Sequence, residues 1–245
     1  MTTKSSDDSD PSERVDPFCE SYRELITEPV SFLAELKAND IALLVIDMQY
    51  LDAARGYGVF APNKILPESE PFFEYYFRQL EQVVVPNIAL LQTAFRKHGL
   101  EVIHTRIQSL TLDGRDRSPG HKRLNLHAAP GSKEAEFLTE LAPLPDEIVI
   151  NKTASGVFSS TNLEYVLRNL GIKGLFITGV YTNECVSTAV RVACDRGFHT
   201  TLIQDACTTV TPDLQASTIR VLRDRYARIM RTQAAIREIH RISRR

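Results

Sequence analysis

Short, continuously apolar runs alternate with helix-patterned segments, and this alternation constrains the fold more than any other feature of the chain. The runs are rich in β-branched residues and are bounded by polar or turn residues. They cover residues 41–46, 101–105, 147–151, 174–180, 199–204 and, more weakly, 226–230. Unbroken apolar character is typical of strands that are buried on both faces of a parallel sheet. The sequence therefore predicts an α/β fold of right-handed βαβ units.

The intervening segments carry helix signals. Apolar residues recur at helical spacing over 80–98, 161–170 and 183–196, and a glycine follows each segment, as is typical of helix ends. Thr211-Pro212 marks the start of a further helix, because proline is favoured in a first turn. We find no internal repeat and no linker. We therefore predict a single three-layer, doubly wound, Rossmann-like domain over 21–245.

Composition and charge exclude several classes of protein. The net charge of −2 over 245 residues does not suggest a nucleic-acid binder, and no apolar run approaches the length of about 20 residues that spans a bilayer. Residues 1–20 are polar and acidic without the apolar stretch of a secretory signal, so we expect a disordered or extended arm. The cysteines, at positions 19, 185, 194 and 207, are scattered, which favours reduced thiols in a cytoplasmic protein.

Two long segments do not fit the alternation of strands and helices. They cover 50–77, which contains a cluster of five aromatic residues, and 107–131, which contains DGRDRSPGHKR. Long insertions at the ligand-binding edge of such a sheet are often lids or binding loops. Oligomer contacts or plain surface loops are the alternatives, and the aromatic cluster could serve an interface.

Two charged residues stand where predicted strands end. Asp47 follows the most apolar strand, and Lys152 follows the third. The carboxyl ends of parallel strands lie at one edge of the sheet, where such folds bind ligands. Taken alone, each residue has an ordinary explanation, since aspartate often caps turns and a terminal lysine is usually a solvated charge.

Cys185 lies at the start of a helix, directly after the fourth strand and a tight turn. Free N–H groups and the helix dipole at that position stabilise a thiolate and would lower the pKa of Cys185. The same N–H groups can hold an oxyanion. A buried, inert thiol is the alternative, and it is the interpretation that we adopt for Cys194 and Cys207. A thiolate nucleophile, a carboxylate that moves its proton and a lysine between them would form one catalytic unit.

The chain resembles the isochorismatase-like cysteine hydrolases in three motifs. These are VIDMQ around Asp47, KTASGVFSST from Lys152, and TGVYTNECV around Cys185, in the order and strand context of that family. The resemblance implies strand order 3-2-1-4-5-6, with Asp47 as general acid and base, Lys152 as its partner and Cys185 as nucleophile. It also implies a cis peptide before Tyr181 and an oxyanion hole formed by the N–H groups of Tyr181 and Cys185.

Departures from the family pattern narrow the activity. Members that hydrolyse the vinyl ether of isochorismate lack the cysteine, and the histidine pair of the nicotinamidase metal site is absent from HTRIQSLTLDGRDRS. We therefore expect no metal or other cofactor, with His104 and His121 as structural or surface residues. The resemblance then favours cleavage of a C–N bond in a small amide or ureide, through an acyl-enzyme.

Candidate substrate-binding residues are Gln49, Arg106, Gln108, Phe158 and Tyr181. Arg106, Gln108 and Arg115 follow the second strand, where a guanidinium suits a carboxylate and an amide suits a ureido group. Solvated loop residues are the alternative for these three, and Asn183 is interpreted as a helix cap. A vinyl-ether hydrolase or an inactive binding protein on the same fold are the competing functions. We expect a homodimer or homotetramer that acts on a small molecule without nucleic-acid or membrane partners.

Overall fold

A six-stranded, wholly parallel sheet organises the computed structural model, which describes residues 17–22, 36–62 and 71–243. The strands are β1 (Ile41–Ile46), β2 (Glu101–Ile107), β3 (Ile148–Lys152), β4 (Gly174–Val180), β5 (His199–Thr208) and β6 (Arg228–Met230). Their order is β3-β2-β1-β4-β5-β6, and each pair of neighbours is parallel. The predicted strand order is confirmed.

Helices cover both faces of this sheet. The helices of the described residues are α1 (Pro17–Tyr22), α2 (Tyr50–Ala53), α3 (Pro71–Gln79), α4 (Val85–Lys97), α5 (Pro119–Arg123), α6 (Val157–Ser160), α7 (Leu163–Asn169), α8 (Ser187–Asp195), α9 (Pro212–Leu222) and α10 (Thr232–Ile242). Wide π-helical turns, Leu80–Val84 and Thr182–Val186, precede α4 and α8, and short 3-10 turns lie at Ala38–Asp40, Gly58–Phe60, Lys133–Ala135 and Thr139–Leu141.

The central strand β1 divides the core into two apolar layers, because its successive side chains point to opposite faces. Leu43 and Val45 pack with residues of α3, α4 and α10, whereas Leu44 and Ile46 pack with residues of α7, α8 and α9. All six residues of β1 are buried. The continuous apolar run in the sequence is therefore explained by a strand with a helix layer on each side, and the three-layer prediction is confirmed.

Two strands are longer than predicted. β2 extends to Ile107, so Arg106 lies within the strand and pairs in register with Asn151 of β3. β5 extends to Thr208 across a register shift against β4, so Cys207 lies inside this strand and does not follow it. The predicted ends of β2 and β5 are too early because each predicted strand ends at a polar residue. Neighbouring strands can continue to pair through such positions.

Three of the five residues in the aromatic cluster belong to the core and are not available to an interface, whereas Phe72 and Tyr75 are half-buried. Phe73, Tyr76 and Phe77 of α3 are each at most 2% exposed, and all three rings pack against the ring of Phe60. The amphipathic helix α3 turns these rings inward, while residues 63–70 lie outside the described part of the chain.

The predicted N-terminal arm is only partly described. Residues 1–16 lie outside the described ranges, and residues 17–20 belong to the helix α1, not to an extended segment. In the ranges that are described, no helix is long and apolar enough to cross a membrane.

Candidate active site

Three side chains from different strand ends meet in one buried cluster. The Nζ atom of Lys152 lies 2.8 Å from Oδ2 of Asp47 and 3.2 Å from Sγ of Cys185. Asp47 follows β1, Lys152 ends β3 and Cys185 lies in the turn after β4. Because β2 separates β1 from β3 and strands are spaced by about 4.8 Å, only a long side chain can reach from β3 to Asp47. The structure thus brings the predicted trio together.

The backbone at the end of β1 holds Asp47 in an unusual conformation. Asp47 has a φ of +55°, in the left-handed region that residues with a side chain rarely adopt. Its N–H donates to the carbonyl of Thr105 at 3.0 Å. On the other side, Gly179 of β4 has a φ of +114°, and a Cβ there would lie 2.0 Å from the carbonyl oxygen of Ile46. Glycine is therefore required where β4 passes the carboxyl end of β1.

The turn after β4 presents Cys185 at the start of a helix. A cis peptide joins Val180 to Tyr181, as the resemblance implies, and the π-helical turn Thr182–Val186 follows and runs into α8. The backbone departs from helical geometry at Glu184, directly before Cys185. Asn183 lies inside this turn and accepts a hydrogen bond from the hydroxyl of Thr209. Its prediction as the helix cap is therefore wrong.

Burial dominates the electrostatics of the cluster. It would lower the pKa of Lys152, but Asp47 and Cys185 reverse this effect and raise the pKa above its ordinary value, so Lys152 remains a cation. Burial raises the pKa of Asp47 against the opposing effect of Lys152. Burial also raises the pKa of the Cys185 thiol, again against Lys152 and with Asp47 adding to the shift.

The expected thiolate with a lowered pKa is therefore wrong. The helix start that suggested it is present, but Cys185 is only 5% exposed, and burial together with the charge of Asp47 disfavours a negative charge on its sulfur. A thiol in this setting needs a base to take its proton before it can attack. The raised pKa of Asp47 makes this carboxylate a stronger base than an ordinary aspartate.

A cavity of about 220 Å³ opens onto Cys185. Both insertions predicted as lids contribute to its wall, 50–77 through α2 and the Gly58–Phe60 turn, and 107–131 through α5 and its flanks. The lining residues are Asp52, Val59, Phe60, Ile107, His121, Leu124, Leu126, Ser155, Tyr181, Asn183, Glu184, Cys185, Thr209 and Val210. This volume suits a small ligand, with an apolar wall and a few polar groups.

Only one of the five substrate-binding candidates lines this cavity, and it is Tyr181. Gln49 is fully buried and uses its amide on the backbone, accepting from the N–H of Ile107 at 2.6 Å and donating to the carbonyls of Ile107 and Glu134. It therefore fixes the end of β2. Phe158 packs in the core near Phe198 and is absent from the cavity wall.

The structure does not bring the two candidate arginines, Arg106 and Arg115, to the wall of the cavity. Arg106 donates to Oδ1 of Asn151 and to the carbonyl of Ala135, and its guanidinium lies over the ring of Phe137. Arg115 is 73% exposed and pairs with Asp113. Arg106 lies in β2, where alternate side chains point to opposite faces, and Arg115 is an exposed loop residue, so neither supports the predicted role in substrate binding.

Gln108 is buried, but it does not line the cavity. Its backbone N–H donates to the carbonyl of Lys152 at 3.0 Å, which continues the pairing of β2 with β3 beyond the strand ends. The contact helps to place the end of β3 and gives no support for recognition of a ureido group.

Among the residues missed by sequence reasoning, two buried titratable side chains of the cavity wall matter most for its chemistry. Asp52 lies in α2, five positions after Asp47, and burial together with the charge of Asp47 raises its pKa to about 8. His121 of α5 was expected to be structural or on the surface, but it lines the cavity, and burial and the charge of Lys152 lower its pKa to about 4. One indication of these roles was present in the sequence: Asp52 and His121 lie in the two long segments, 50–77 and 107–131, that follow β1 and β2.

His104 has the structural role that was expected for it. It is fully buried in β2, and its Nε2 lies 3.1 Å from a carboxylate oxygen of Glu147. Among the residues that the structure describes, no three His, Cys, Asp or Glu side chains are grouped so that they could hold a metal ion.

The sequence is similar to a known protein family and to characterised relatives. The isochorismatase domain family matches residues 41–234. A ureidoacrylate amidohydrolase, RutB of Rhizobium rhizogenes, is 34% identical over 209 residues, which cover 78% of this chain and 78% of that protein.

Solved structures of similar fold include two hydrolases. A cysteine hydrolase from Pseudomonas syringae has a TM-score of 0.69 at 22% identity and covers 84% of this chain and 95% of its own. N-carbamoylsarcosine amidase from Thermoplasma acidophilum has a TM-score of 0.58 at 24% identity, with 79% and 96% covered. At these identities the two structures support the fold alone.

Proposed function

This chain belongs to the isochorismatase family of hydrolases, and we propose that it hydrolyses a C–N bond of a small amide or ureide with Cys185 as nucleophile. The observation that carries the proposal is the contact of Lys152 with both Asp47 and Cys185, at 2.8 and 3.2 Å, beside a cavity of ligand size. A nucleophile, a proton carrier and a cation in mutual contact form the set that amide cleavage requires.

Acylation begins with transfer of the Cys185 thiol proton to Asp47. The thiolate attacks the carbonyl carbon, and the C=O electrons move onto oxygen to give a tetrahedral oxyanion. When this species collapses, the C–N bond breaks, and Asp47 returns the proton to the leaving nitrogen. The products of this half-reaction are ammonia or an amine and an acyl or carbamoyl group bound to Cys185.

Deacylation repeats the same proton path with water. Asp47 takes a proton from water, the hydroxide attacks the thioester carbon, and the bond to sulfur breaks. The acyl group leaves as the free carboxylic or carbamic acid. The sulfur leaves as a thiolate and recovers a proton from Asp47, which restores the starting state. One carboxyl group serves as base and acid in both halves, and its raised pKa suits this double role.

Lys152 stabilises the anions of this cycle. Its ammonium contacts the carboxylate before proton transfer and the sulfur after it, so negative charge moves between two partners of the same cation. We also assign the oxyanion hole to the backbone N–H groups of Tyr181 and Cys185, because they belong to the turn that carries Sγ. The ring of Tyr181 is then a wall of the substrate site.

The substrate class rests on the chemistry and on relatives. A carboxylic acid that can protonate nitrogen suits an amide or ureide, and one relative is a ureidoacrylate amidohydrolase. The cavity volume of about 220 Å³ favours a small molecule. We assign no metal or other cofactor to the reaction, since acyl transfer to a thiolate needs none.

We extend the proposal to the state of the protein in the cell. A single catalytic domain over 21–245, a cytoplasmic location and a homodimer or homotetramer follow from the sequence and from the family resemblance. The three described cysteines, Cys185, Cys194 and Cys207, are all free, which agrees with a reducing compartment.

An ammonia-release screen over carbamoyl compounds and primary amides tests the proposed function. We expect turnover of at least one compound by the wild type and a loss of several orders of magnitude in Cys185→Ala, as for other coupled catalytic sets. Cys194→Ala, which removes a half-buried thiol of α8, is the matched control and should keep full activity. Undiminished turnover by Cys185→Ala would contradict a thiol mechanism and would favour acid-catalysed hydrolysis instead. If the wild type releases ammonia from none of the compounds but still binds one of them, the result would favour a binding protein.

A further inference from the structure

A second carboxyl group faces the same cavity and has no assigned role in the cycle above. Asp52 is only 3% exposed, and its Oδ2 has no hydrogen-bond partner. Polar side-chain atoms that are buried without a partner are rare, because each loses its hydration without compensation. An unpartnered oxygen in the wall of a ligand cavity therefore points to a partner on the ligand.

The backbone that carries this carboxyl is held in place. The hydroxyl groups of Tyr76 and Tyr181 both donate to the carbonyl of Asp52, at 2.7 and 3.2 Å, and the two rings stack with centroids 5.2 Å apart. Tyr76 is itself fully buried in the core. The side chain thus projects from a rigid support, which is what a recognition group requires.

The charges around Asp52 determine whether its carboxyl group is protonated. Two buried carboxyl groups, Asp47 and Asp52, lie near one buried ammonium, Lys152, and this ammonium is committed to Asp47 at 2.8 Å. Like charges in a site of low dielectric do not both ionise, so the second carboxyl keeps its proton. Burial and the charge of Asp47 accordingly raise the pKa of Asp52 to about 8.

Other groups around the cavity do not offset this effect. His121 is neutral at physiological pH because burial lowers its pKa to about 4. Glu184 is exposed and adds no positive charge, and the cavity wall contains no lysine or arginine among the residues described. Tyr76, Tyr181 and Cys185, whose pKa values are all raised by burial, stay neutral as well.

We propose that Asp52 is the specificity-determining residue of this site and that its protonated carboxyl group pairs with an uncharged amide or ureido group of the substrate. The O–H donates to the acceptor of that group, and the C=O accepts one of its N–H donors. An ammonium group would be disfavoured, because it requires an ionised Asp52. This inference rests on the proposed amidohydrolase function and specifies its substrate as neutral at the recognised end.

Asparagine offers the same donor and acceptor without a proton to lose, which provides a sharp test. With the best compound from the ammonia-release screen, we expect Asp52→Asn to keep kcat/KM within about threefold of the wild type at pH 7, whereas Asp52→Leu should raise KM at least about tenfold by removing both hydrogen bonds. Above pH 8 the wild type should lose affinity as Asp52 ionises, and Asp52→Asn should not. Asp113→Asn, an exposed position with the same change of charge, is the control.

Two kinetic outcomes would overturn the inference. One is an Asp52→Asn variant that is as damaged as Asp52→Leu, since recognition would then need a carboxylate. The other is an Asp52→Leu variant with wild-type KM. These results are separate from a failure of the proposed mechanism, which would appear as full activity in Cys185→Ala.

A readout without turnover completes the test. The carbon-13 carboxyl resonances of aspartate-labelled protein, with Asp52 identified by the signal missing in Asp52→Asn, should give a titration midpoint near pH 8 for this group. A midpoint at the ordinary aspartate value of about 4 would overturn the inference even if no substrate were found.

Discussion

Removing the cation from the buried cluster should destabilise the protein strongly. Lys152→Met keeps most of the side-chain volume but leaves Asp47 buried without its partner. At the observed separation of 2.8 Å and an effective dielectric constant of about 20, the attraction that is lost amounts to about 6 kcal/mol. Because the apolar side chain also removes the desolvation of the ammonium, we expect a net loss of about 3–5 kcal/mol in unfolding free energy at pH 7.

This loss should shrink as the pH falls. Without Lys152, the largest opposing influence is removed, so burial raises the folded-state pKa of Asp47 further above the unfolded value. A group with a raised folded pKa contributes its full stability below the unfolded pKa and loses it as the pH rises through the folded pKa. The variant should therefore approach the wild type near pH 4, where a protonated Asp47 carries no unpaired charge.

Urea unfolding followed by circular dichroism at pH 4, 5.5 and 7 measures these differences. Lys173→Met is the matched control, since Lys173 is 62% exposed and pairs with Asp40 at 3.3 Å, and it should cost at most about 1 kcal/mol. The double variant Asp47→Asn/Lys152→Met should recover much of the lost stability. A cost below about 1 kcal/mol for Lys152→Met, or a cost independent of pH, would refute the assignment of a buried ion pair.

Three further predictions concern the thiol, metals and the tight contact between strands. Because burial raises the pKa of Cys185, alkylation by iodoacetamide should be slow at pH 7 and rise about tenfold per pH unit up to pH 9, as followed by peptide mass spectrometry; a rate already maximal at pH 7 would indicate a resting thiolate. Dialysis against a strong chelator should leave ammonia release unchanged, and activity that is lost and then restored by zinc would contradict this. Gly179→Ala should destabilise the protein by at least about 3 kcal/mol, because its Cβ meets the carbonyl of Ile46. Gly171→Ala, which also has a positive φ but adds a Cβ in open space, should cost about 1 kcal/mol in the same urea assay.

The sheet was predictable because burial on both faces leaves a strong trace in the sequence. β1 and β4 begin and end where their apolar runs do, since every residue of these central strands is buried. The ends of β2 and β5 were missed because pairing continues past the first polar residue. Arg106 belongs to β2 although it is charged, because its side chain finds partners at Asn151 and Ala135 outside the core.

The meeting of Asp47, Lys152 and Cys185 was predictable because these residues stand at strand ends, and parallel topology brings such ends to one edge. The wall of the cavity was not, because it depends on how two irregular segments fold over that edge. The sequence around Asp52 gives no sign that its carboxyl is buried, and nothing near His121 indicates contact with the cavity. The prediction of a lowered pKa for Cys185 was wrong for the same reason. Burial depends on tertiary packing, and a helix start in the sequence does not indicate it.

The central claim is covalent catalysis by Cys185, and trapping the acyl-enzyme tests it most directly. Wild-type protein should be mixed with the best substrate from the screen, quenched in acid within one turnover and analysed as intact protein and as peptides. We expect a mass increase equal to the acyl or carbamoyl group minus one hydrogen, located on Cys185 and absent from Cys185→Ala. Two results together would contradict covalent catalysis: full turnover by the wild type without any adduct on Cys185, and equal activity of the Cys185→Ala variant.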